Sequence, residues 1–562
     1  MSGASPIKIV LAALDSQYIH SSLSPWCLLA GLRAYCRVPF SAKVIEGSVN
    51  EPAEMFVNAI IAEKPDIAGF SCYIWNISSM CRAAQAVKAV FPDCRIVFGG
   101  PEVSYRARGF LAESPWCDHV LSGEGELPIA LLTEAIYGST PLSRVPGLSY
   151  RDGDGIVEGL PYISDETPPS PYCPEYFAAL GGRFAYLETS RGCPFSCAFC
   201  LSGREGGVRF FPVERAKSEM LALAGSRARA VKFVDRTFNA DRARAREIFS
   251  FIIDNYGSAI PAGTRFHFEI GGDLLDDETL SLLTRAPKGS MQLEIGLQSF
   301  NPQTLSAVCR KTDTDKLAEN IRAVLAPGNI HVHIDLIAGL PYEDLESFRD
   351  SFRKAFALRP HMLQLGFLKL LYGAPMRENA RDYPCEFSGD PPYEVTSTPW
   401  LTPDDIKELH AVDAALGRIY NSGRFKRSLE YILSASGCDC YGFFRGAGLL
   451  LSDNAPRLSL DGFTELMFGY ARSLPGVDRV RLRDMMALDR LATNSSSSMP
   501  AVLRVEDRRL RETRAALESG PDHRPENVRR GVVWLYSEGR AAYCDYISAD
   551  PITGEYALKY TR

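Results

Sequence analysis

At 562 residues the chain is too long for one hydrophobic core, and a prior of ~150 residues per domain predicts three or four domains. Its 46 % hydrophobic and 23 % charged residues exclude a disordered chain, and its net charge of -6 gives no overall attraction to nucleic acid. No apolar run reaches the ~18 residues of a membrane span, and the first residues lack a basic leader, which predicts a cytoplasmic protein without membrane partners. Fifteen cysteines in such a chain favour reduced thiols and metal ligands over a disulfide framework.

The first 150 residues alternate short apolar segments with longer segments of helical spacing. Five strands are predicted, at Ile7 to Leu14, Lys43 to Glu46, Asp66 to Cys72, Arg95 to Phe98 and His119 to Leu121. Strands that alternate with helices predict a parallel, doubly wound (Rossmann-like) sheet. In such sheets a ligand binds at the carboxyl ends of the strands, at the topological switch point.

Three predicted loops at that edge carry glycine and aromatic residues. Their candidate ligand contacts are Ser71, Tyr73 and Trp75 after the third strand, Gly99, Gly100, Pro101 and Glu102 after the fourth, and Gly123, Glu124 and Gly125 after the fifth. Glycine lets a backbone approach a flat ligand closely, although it also occurs where a strand simply ends. In order and placement the loops resemble those of the cobalamin-binding domain that precedes many radical S-adenosylmethionine domains. The resemblance implies that these residues contact the corrin ring and its nucleotide tail.

The loop after the first strand departs from the pattern of many cobalamin proteins. Those proteins carry Asp-x-His-x-x-Gly, whose histidine ligates cobalt, whereas this chain reads Asp15-Ser16-Gln17-Tyr18-Ile19-His20-Ser21. The resemblance makes His20 a candidate cobalt ligand. A lone histidine is more often a hydrogen-bonded structural residue, and both interpretations stay open for His20.

A proline-containing linker, residues 151–180, leads to three closely spaced thiols. The segment Arg191-Gly192-Cys193-Pro194-Phe195-Ser196-Cys197-Ala198-Phe199-Cys200 has the spacing Cys-x3-Cys-x2-Cys. A closed zinc site takes four ligands, whereas three thiolates on a cubane iron-sulfur cluster leave one iron open for a substrate. A zinc knuckle or three unrelated buried thiols are the alternatives.

This loop resembles the cluster loop of the radical S-adenosylmethionine superfamily, Cys-x3-Cys-x-aromatic-Cys, and matches it in full, with Phe199 as the aromatic residue. The resemblance implies that Cys193, Cys197 and Cys200 are catalytic ligands of a [4Fe-4S] cluster. It also implies that S-adenosylmethionine binds the fourth iron next to Phe199. The resemblance further implies that one electron from the cluster cleaves S-adenosylmethionine to methionine and a 5'-deoxyadenosyl radical.

Six strand-then-helix units follow, which predict a core domain over residues 181–375. The predicted strands are Ala185 to Thr189, Ala230 to Val234, Arg265 to Ile270, Met291 to Gly296, Ile330 to Ile337 and Met362 to Leu368. Six units are two short of a closed eight-stranded barrel, and an open side suits a large substrate. The superfamily resemblance implies the same fold, an open (β/α)6 partial TIM barrel.

Polar residues and glycines stand where these strands end. The resemblance implies that Asp235, Gln298, Ser299 and Gly339 contact S-adenosylmethionine. Ordinary strand termination with helix caps is the alternative at each position.

Residues 376–562 have a different composition and are predicted to be mostly helical, with short strands near the end. Thr402-Pro403-Asp404-Asp405 is typical of a helix start. This region resembles an uncharacterised C-terminal domain of some cobalamin-dependent radical enzymes, which implies neither substrate nor chemistry.

The predicted function follows from the three implied cofactors, a [4Fe-4S] cluster, S-adenosylmethionine and cobalamin. The leading hypothesis is a cobalamin-dependent radical methyltransferase that methylates an unactivated carbon of a small-molecule or peptide substrate. An electron donor such as flavodoxin or ferredoxin is the implied partner. The first alternative is a cobalamin-dependent rearrangement, cyclisation or epimerisation, and the second is a non-catalytic iron-sulfur or cobalamin sensor.

Overall fold

The computed structural model of the protein describes residues 5–204, 206–453, 458–496, 499–505, 508–519 and 531–561. The chain forms two compact units. The first unit comprises Met1–Glu269, Val308–Arg310 and Leu368–Thr396. The second unit comprises Ile270–Ala307, Lys311–Phe367 and Ser397–Arg562.

A seven-stranded sheet opens the first unit. Its elements are β1 (Ile7–Asp15), α1 (Ser24–Tyr35), β2 (Phe40–Ser48), α2 (Ala53–Glu63), β3 (Ile67–Ser71), α3 (Ile77–Val90), β4 (Arg95–Gly99), α4 (Pro101–Ser104), α5 (Ala107–Glu113), β5 (His119–Leu121), α6 (Glu126–Ile136), β6 (Leu148–Asp152) and β7 (Gly155–Val157). The strand order is β2-β1-β3-β4-β5-β6-β7, with the first five strands parallel. The order reverses at β1, so the ligand-binding switch point lies between β1 and β3. The predicted doubly wound sheet is confirmed.

The edge strands β6 and β7 are antiparallel and were not predicted. They are short and lack the apolar run of β1, which is buried along almost its whole length because it lies inside a parallel sheet. β7 lies inside the predicted linker, residues 151–180, together with the whole of the next helix, Pro174–Leu180.

The rest of the first unit contains three parallel strands and one hairpin. Its elements are α7 (Pro174–Leu180), β8 (Ala185–Leu187), β9 (Ser190–Cys193), β10 (Gly207–Phe210), α8 (Val213–Gly225), β11 (Val231–Phe233), α9 (Arg242–Asn255) and β12 (Phe266–Ile270). β8, β11 and β12 are parallel neighbours, whereas β9 and β10 form an antiparallel hairpin. Phe233, Phe238, Phe249 and Phe268 pack at centroid distances of 4.5 to 5.3 Å and fill the core next to these strands.

Three further strand and helix pairs lie in the second unit. Their elements are α10 (Asp277–Thr284), β13 (Met291–Gln298), α11 (Pro302–Ala307), α12 (Thr314–Leu325), β14 (His331–Ala338), α13 (Leu345–Ala357) and β15 (Met362–Phe367). β13, β14 and β15 are parallel neighbours. The carboxylates of Asp276, Asp313 and Asp344 cap α10, α12 and α13 by accepting a backbone N–H bond. With three parallel strands in each unit, the predicted set of six strand and helix pairs is confirmed.

The remaining elements are mostly helical. They are α14 (Pro375–Glu378), β16 (Glu386–Phe387), β17 (Val395–Ser397), α15 (Pro403–Leu416), α16 (Lys426–Ser436), α17 (Cys440–Asp453), α18 (Leu460–Ala471), α19 (Arg479–Thr493), α20 (Arg508–Glu518), β18 (Val532–Leu535), β19 (Arg540–Ala549) and β20 (Tyr556–Tyr560). Thr402 and Asp405 form a capping box at the predicted start of α15. Within the part of the chain that the structure describes, no helix has the length and apolar character to cross a bilayer.

Several short turns complete the secondary structure. The 3₁₀ turns lie at Leu142–Arg144, Phe238–Ala240, Gly272–Leu274 and Ala501–Leu503, and a π-helical turn lies at Gly417–Asn421.

Candidate active site

The three predicted cluster thiols lie at the end of β9 and in the loop that joins β9 to β10. Cys193 ends β9, and Cys197, half-buried Phe199 and Cys200 follow in the loop. Gly192 has a φ of 91°, and a Cβ there would lie 2.3 Å from a carbonyl oxygen of the opposite strand, so the hairpin requires glycine. Cys193, Cys197 and Cys200 are all free of disulfide bonds.

Asp235, which follows β11, stabilises the start of the hairpin through hydrogen bonds. Its Oδ1 accepts hydrogen bonds from Thr189 Oγ1 at 2.7 Å and Ser190 Oγ at 2.6 Å, and its Oδ2 accepts one from the Thr189 amide at 3.0 Å. Asp235 is only 1 % exposed, and burial raises its pKa. Thr237 then places its Oγ1 3.4 Å from Cys193 Sγ. Asp235 therefore orders the strand that carries Cys193, while its contact with S-adenosylmethionine stays a prediction.

Arg310 lies beside the cluster loop and was missed by the sequence reasoning. Its Nη1 donates to Cys197 Sγ at 3.8 Å. Burial raises the pKa of the Cys197 thiol, and the positive charge of Arg310 counteracts that rise. Nearby, the Ala198 amide donates to the Val308 carbonyl at 2.9 Å and the Met376 amide donates to the Ala198 carbonyl at 3.0 Å. The sequence marks this position only by a basic pair 113 residues after Cys197, a contact that no local pattern reveals.

The loop after β3 presents a flat aromatic surface at the switch point. The rings of Tyr73 and Trp75 stack with centroids 4.5 Å apart and an interplanar angle of 3°. Trp75 is 48 % exposed, and its Nε1 donates to the Leu14 carbonyl at 3.2 Å. Asn76 Nδ2 also donates to the Leu14 carbonyl, and to that of buried Ser71, which fixes the loop to β1. A stacked pair that consists of half-buried Tyr73 and exposed Trp75 suits a planar ligand.

The loop after β4 combines a close backbone approach with a buried acid. Gly99 ends β4, Gly100 has a φ of 108°, and Pro101 begins α4. A Cβ on Gly100 would lie 2.4 Å from a carbonyl oxygen of the β3 loop, so glycine is needed there. Glu102 is buried and accepts a hydrogen bond from the Tyr393 hydroxyl, and burial raises its pKa. The carboxyl group of Glu102 is therefore already hydrogen-bonded within the protein.

In the loop after β5, the side chain of Glu124 contacts the cluster hairpin. Gly123 has a φ of 87°, and a Cβ there would lie 2.2 Å from a backbone oxygen of the following linker. Glu124 accepts from Arg191 Nη1 at 2.7 Å and from Arg209 Nη2 at 2.6 Å. Gly125 precedes the first residue of α6. The contacts of these residues with cobalamin stay predictions, and the ion pairs of Glu124 were not foreseen.

His20 lies against β8. Its Nδ1 is hydrogen-bonded to the Tyr186 hydroxyl, and its ring packs 5.5 Å from that of Phe184. Its carbonyl accepts from Arg183 Nη1 at 3.1 Å. Burial, and then the charge of Lys232, lower its pKa. These contacts favour a structural role, and cobalt ligation by His20 stays a prediction that only its Nε2 could fulfil.

The remaining predicted contacts for S-adenosylmethionine belong to the second unit. Gln298 ends β13 with a φ of 70°, and Gly339 follows the neighbouring β14 with a φ of 94°. Ser299 is fully buried, and its hydroxyl donates to Glu343 Oε1 at 2.5 Å and accepts from the Asn301 amide at 2.9 Å. Gln298 and Gly339 thus lie at one sheet edge, and Ser299 anchors the turn beside them.

Three titratable residues of β13 and β14 form a further group, which we call the histidine–carboxylate cluster (Glu294, His333 and Asp335). His333 Nδ1 lies 3.3 Å from Glu294 Oε2, and its Nε2 lies 2.9 Å from Asp335 Oδ1. Burial works to lower the pKa of His333, but the two carboxylates outweigh it and raise the pKa to about 9. The imidazolium is therefore the cation of this cluster. The sequence reasoning missed it because its pairing depends on the register of two strands.

Comparison with known proteins identifies three regions of the chain. The Radical SAM superfamily model matches residues 187–355, and the B12 binding domain model matches residues 10–133. A model described as a protein of unknown function (DUF4080) matches residues 381–529.

Two curated relatives and one solved structure are similar to the chain. A 2-(S-pantetheinyl)-carbapenam-3-carboxylate methyltransferase of Streptantibioticus cattleyicolor is 31 % identical over 51 % of this chain and 44 % of that protein. The cobalamin-dependent radical SAM methyltransferase TokK of Streptomyces tokunonensis is 30 % identical over 58 % of this chain and 50 % of that protein. The chain thus spans about half the length of the curated relatives it matches.

The solved structure is the cobalamin-dependent S-adenosylmethionine radical enzyme OxsB with aqua-cobalamin and S-adenosylmethionine bound. It shares 15 % identity at a TM-score of 0.58, over 95 % of this chain and 84 % of that one. This likeness confirms the predicted fold. The chain therefore combines a B12-binding domain, a radical SAM domain and a C-terminal domain of unknown function, which is the organisation of the predicted cobalamin-binding radical SAM family.

Proposed function

We propose that the protein is a cobalamin-dependent radical S-adenosylmethionine methyltransferase that acts on an unactivated carbon. The observation that carries the proposal is the presence, in one compact unit, of a three-thiol loop and a sheet with a B12-binding pattern, joined by buried ion pairs. Both curated relatives described above are named methyltransferases, which supports methyl transfer over rearrangement, cyclisation or epimerisation.

The residues of the first unit fit the iron-sulfur cluster. Cys193, Cys197 and Cys200 are thiols without a disulfide, and three thiolates suit a [4Fe-4S] cluster with one open iron. Arg310 places a positive charge beside Cys197, which favours an anionic group such as the carboxylate of S-adenosylmethionine. When bound, the cluster supplies an electron, S-adenosylmethionine an organic radical, and cobalamin a methyl carrier.

The loops at the switch point fit a large planar cofactor. The stacked rings of Tyr73 and Trp75 offer a flat apolar surface, and Gly100 and Gly123 let the loops after β4 and β5 pack closely against neighbouring backbone. These loops bind and orient the cofactor in our proposal. In the second unit, Gln298 and Gly339 contact S-adenosylmethionine in our proposal.

The remaining assignments complete the proposal. The domains cover residues 1–150, 181–375 and 376–562, with a linker over residues 151–180. The protein acts in the cytoplasm on a small-molecule or peptide substrate and receives electrons from a flavodoxin or ferredoxin.

Anaerobic reconstitution with iron, sulfide and hydroxocobalamin tests both protein-bound cofactors. After desalting, we expect about four irons and one cobalt per chain. Strong reductant and S-adenosylmethionine with a labelled methyl group should then yield 5'-deoxyadenosine and, with the right acceptor, a labelled product. Cys197→Ala should lose the iron, whereas Cys36→Ala, which removes a half-buried thiol outside the loop, should keep it.

Each failure has a separate meaning. Iron without cobalt would keep the radical enzyme and remove its methyl carrier. Iron and cobalt without any 5'-deoxyadenosine would favour the sensor over the enzyme.

A further inference from the structure

Five charged side chains form a buried group between the loop after β5 and the cluster hairpin. We call it the hairpin–loop network, and its members are Glu124, Glu126, Glu188, Arg191 and Arg209. Their side chains are 8 to 23 % exposed. At this burial, solvent screens the charges only weakly, so each one needs a partner within the protein.

Arg191 is the centre of the network. Its Nη1 contacts Glu124 Oε2 at 2.7 Å, and its Nη2 contacts Glu126 Oε1 at 2.5 Å and Glu188 Oε2 at 2.8 Å. Burial alone lowers the pKa of an arginine, but the carboxylates of Glu188 and Glu126 outweigh it and keep the pKa of Arg191 above its usual value. The charge of Arg191 is therefore permanent.

The hairpin places Arg209 directly opposite Arg191. Like charges in facing positions destabilise an antiparallel pair unless another group neutralises them. Glu124 does this with both of its oxygens, since Oε2 pairs with Arg191 and Oε1 pairs with Arg209 at 2.6 Å. One carboxylate from the B12-binding domain thus joins the two strands of the hairpin.

Glu124 connects the backbone of the loop after β5 to the cluster hairpin. Its amide donates to the Tyr162 carbonyl at 2.8 Å, which holds the backbone of the loop. Arg191 stands two residues before Cys193, on the same short strand. Glu124 and Arg191 therefore form a continuous chain of contacts from the β5 loop to the strand that carries a cluster ligand.

We propose that Glu124 is a positioning residue that holds the cluster hairpin in register with the loop that contacts cobalamin, so that cobalamin binding tightens the hairpin. The inference rests on the proposed function, because it takes the β5 loop as a cobalamin contact. Glu126 contacts Arg191 from the first turn of α6, whereas Glu124 forms an ion pair with each of the two arginines.

Hydrogen exchange of residues 190–210 with and without hydroxocobalamin tests the proposal, on the chain with its cluster reconstituted. We expect cobalamin to slow exchange in β9 and β10 of the natural protein at least about threefold. In Glu124→Gln, compared with the natural protein at matched iron and cobalt content per chain, the slowing should disappear. The electron paramagnetic resonance spectrum of the reduced cluster should change on cobalamin addition in the natural protein and not in this variant.

Two further variants supply the controls. Glu158→Gln removes an exposed pair with Arg108 in the same domain and should keep the natural slowing. Glu124→Asp keeps the charge and should restore at least part of it. If Glu124→Gln does not fold, Arg209→Gln breaks the same pair from the hairpin and decides by the same readout.

Equal slowing in Glu124→Gln and the natural protein, with cobalt bound to both, would overturn the proposal and leave the proposed function standing. A natural protein that holds iron but no cobalt would remove the cobalamin part of the proposed function, and the proposal with it.

Discussion

The hairpin–loop network of the first unit and the histidine–carboxylate cluster of the second both contain carboxylates that lie on or beside β-strands. The two groups neutralise these carboxylates with different cations. The first uses Arg191 and Arg209, whose charge is permanent, whereas the second uses His333, which can lose its proton. We therefore expect the hairpin–loop network to keep its positive charge as the pH rises, whereas the cluster in the middle of β13 and β14 loses its positive charge as the pH rises through about 9.

Removal of the permanent cation should have the largest effect. Arg191→Gln leaves Glu124, Glu126 and Glu188 buried with one neutral partner in place of a cation. Loss of one partner of a buried ion pair costs about 3–5 kcal/mol. Native-state hydrogen exchange of β9 and β10 should show this loss as easier opening of the hairpin.

The matched control is Arg108→Gln, which breaks the exposed pair with Glu158. An exposed pair contributes at most about 1 kcal/mol. Equal effects of the two substitutions would mean that the buried network is no stronger than a surface contact.

The buried acid Glu343 gives the next largest effect and extends the comparison. In the part of the chain that the structure describes, its carboxylate accepts hydrogen bonds from the hydroxyl groups of Ser299 and Ser351, and burial raises its pKa to about 7. Between pH 4.5 and 7 the folded protein keeps a proton that the unfolded chain releases, so stability should fall as the pH rises through this window. The full shift corresponds to about 3 kcal/mol.

Glu343→Gln isolates this contribution, because its amide oxygen can still accept from Ser299 and it does not titrate. Urea unfolding at pH 5, 6, 7 and 8 should show a smaller decline for the variant than for the natural protein. Parallel pH profiles of the two proteins would show that Glu343 is ionised throughout and contradict its raised pKa.

The histidine–carboxylate cluster should give a smaller effect with the same sign at higher pH. The pKa of His333 is raised from about 6.5 to about 9, so the folded protein binds its proton more tightly than the unfolded chain does. Its stabilising contribution is complete below pH 6.5 and is lost as the pH rises through 9. The full shift corresponds to about 3 kcal/mol. About 2–3 kcal/mol is expected, because solvent screens the partly exposed carboxylates of Glu294 and Asp335.

His333→Gln should flatten the decline of the urea midpoint between pH 6.5 and 9. His361→Gln is a suitable control, because burial lowers the pKa of His361 and its proton is therefore not retained in this range. A decline that persists in His333→Gln would assign the titration to another group.

The comparison also shows which features a sequence can predict. The cluster loop, the five parallel strands of the B12-binding domain and the six strand and helix pairs were predicted because each depends on a local pattern of a few residues. The glycines at 100 and 123 follow the same logic, since a strand end that meets neighbouring backbone needs glycine.

Contacts between residues that are far apart in the sequence could not be predicted, because no local pattern marks them. Arg191 and Glu124 are separated by 67 residues, Arg310 and Cys197 by 113, and Tyr393 and Glu102 by 291. Glu124 and Glu102 were predicted as cobalamin contacts because they lie in the right loops, but the orientation of their side chains depends on the packing of distant segments. The buried state of Asp235 and Ser299 has the same origin, since a strand end shows which residue is near the site and not whether its oxygens are already bonded.

The smallest predicted effect concerns Glu102. This residue tests the comparison, because it is a buried acid of the first unit whose direct hydrogen-bond partner is neutral. It accepts a hydrogen bond from Tyr393, and its pKa is raised by burial although the charges of Arg106 and Arg377 act against that rise. Tyr393→Phe removes the donor and should destabilise the protein by about 1–2 kcal/mol, since a buried acceptor loses its partner. With Glu102→Gln in a double-mutant cycle, the coupling measured by urea unfolding should exceed zero at pH 7 and differ at pH 5, where more of the carboxyl group is protonated. A coupling independent of pH would place Glu102 with the permanently charged groups of the hairpin–loop network.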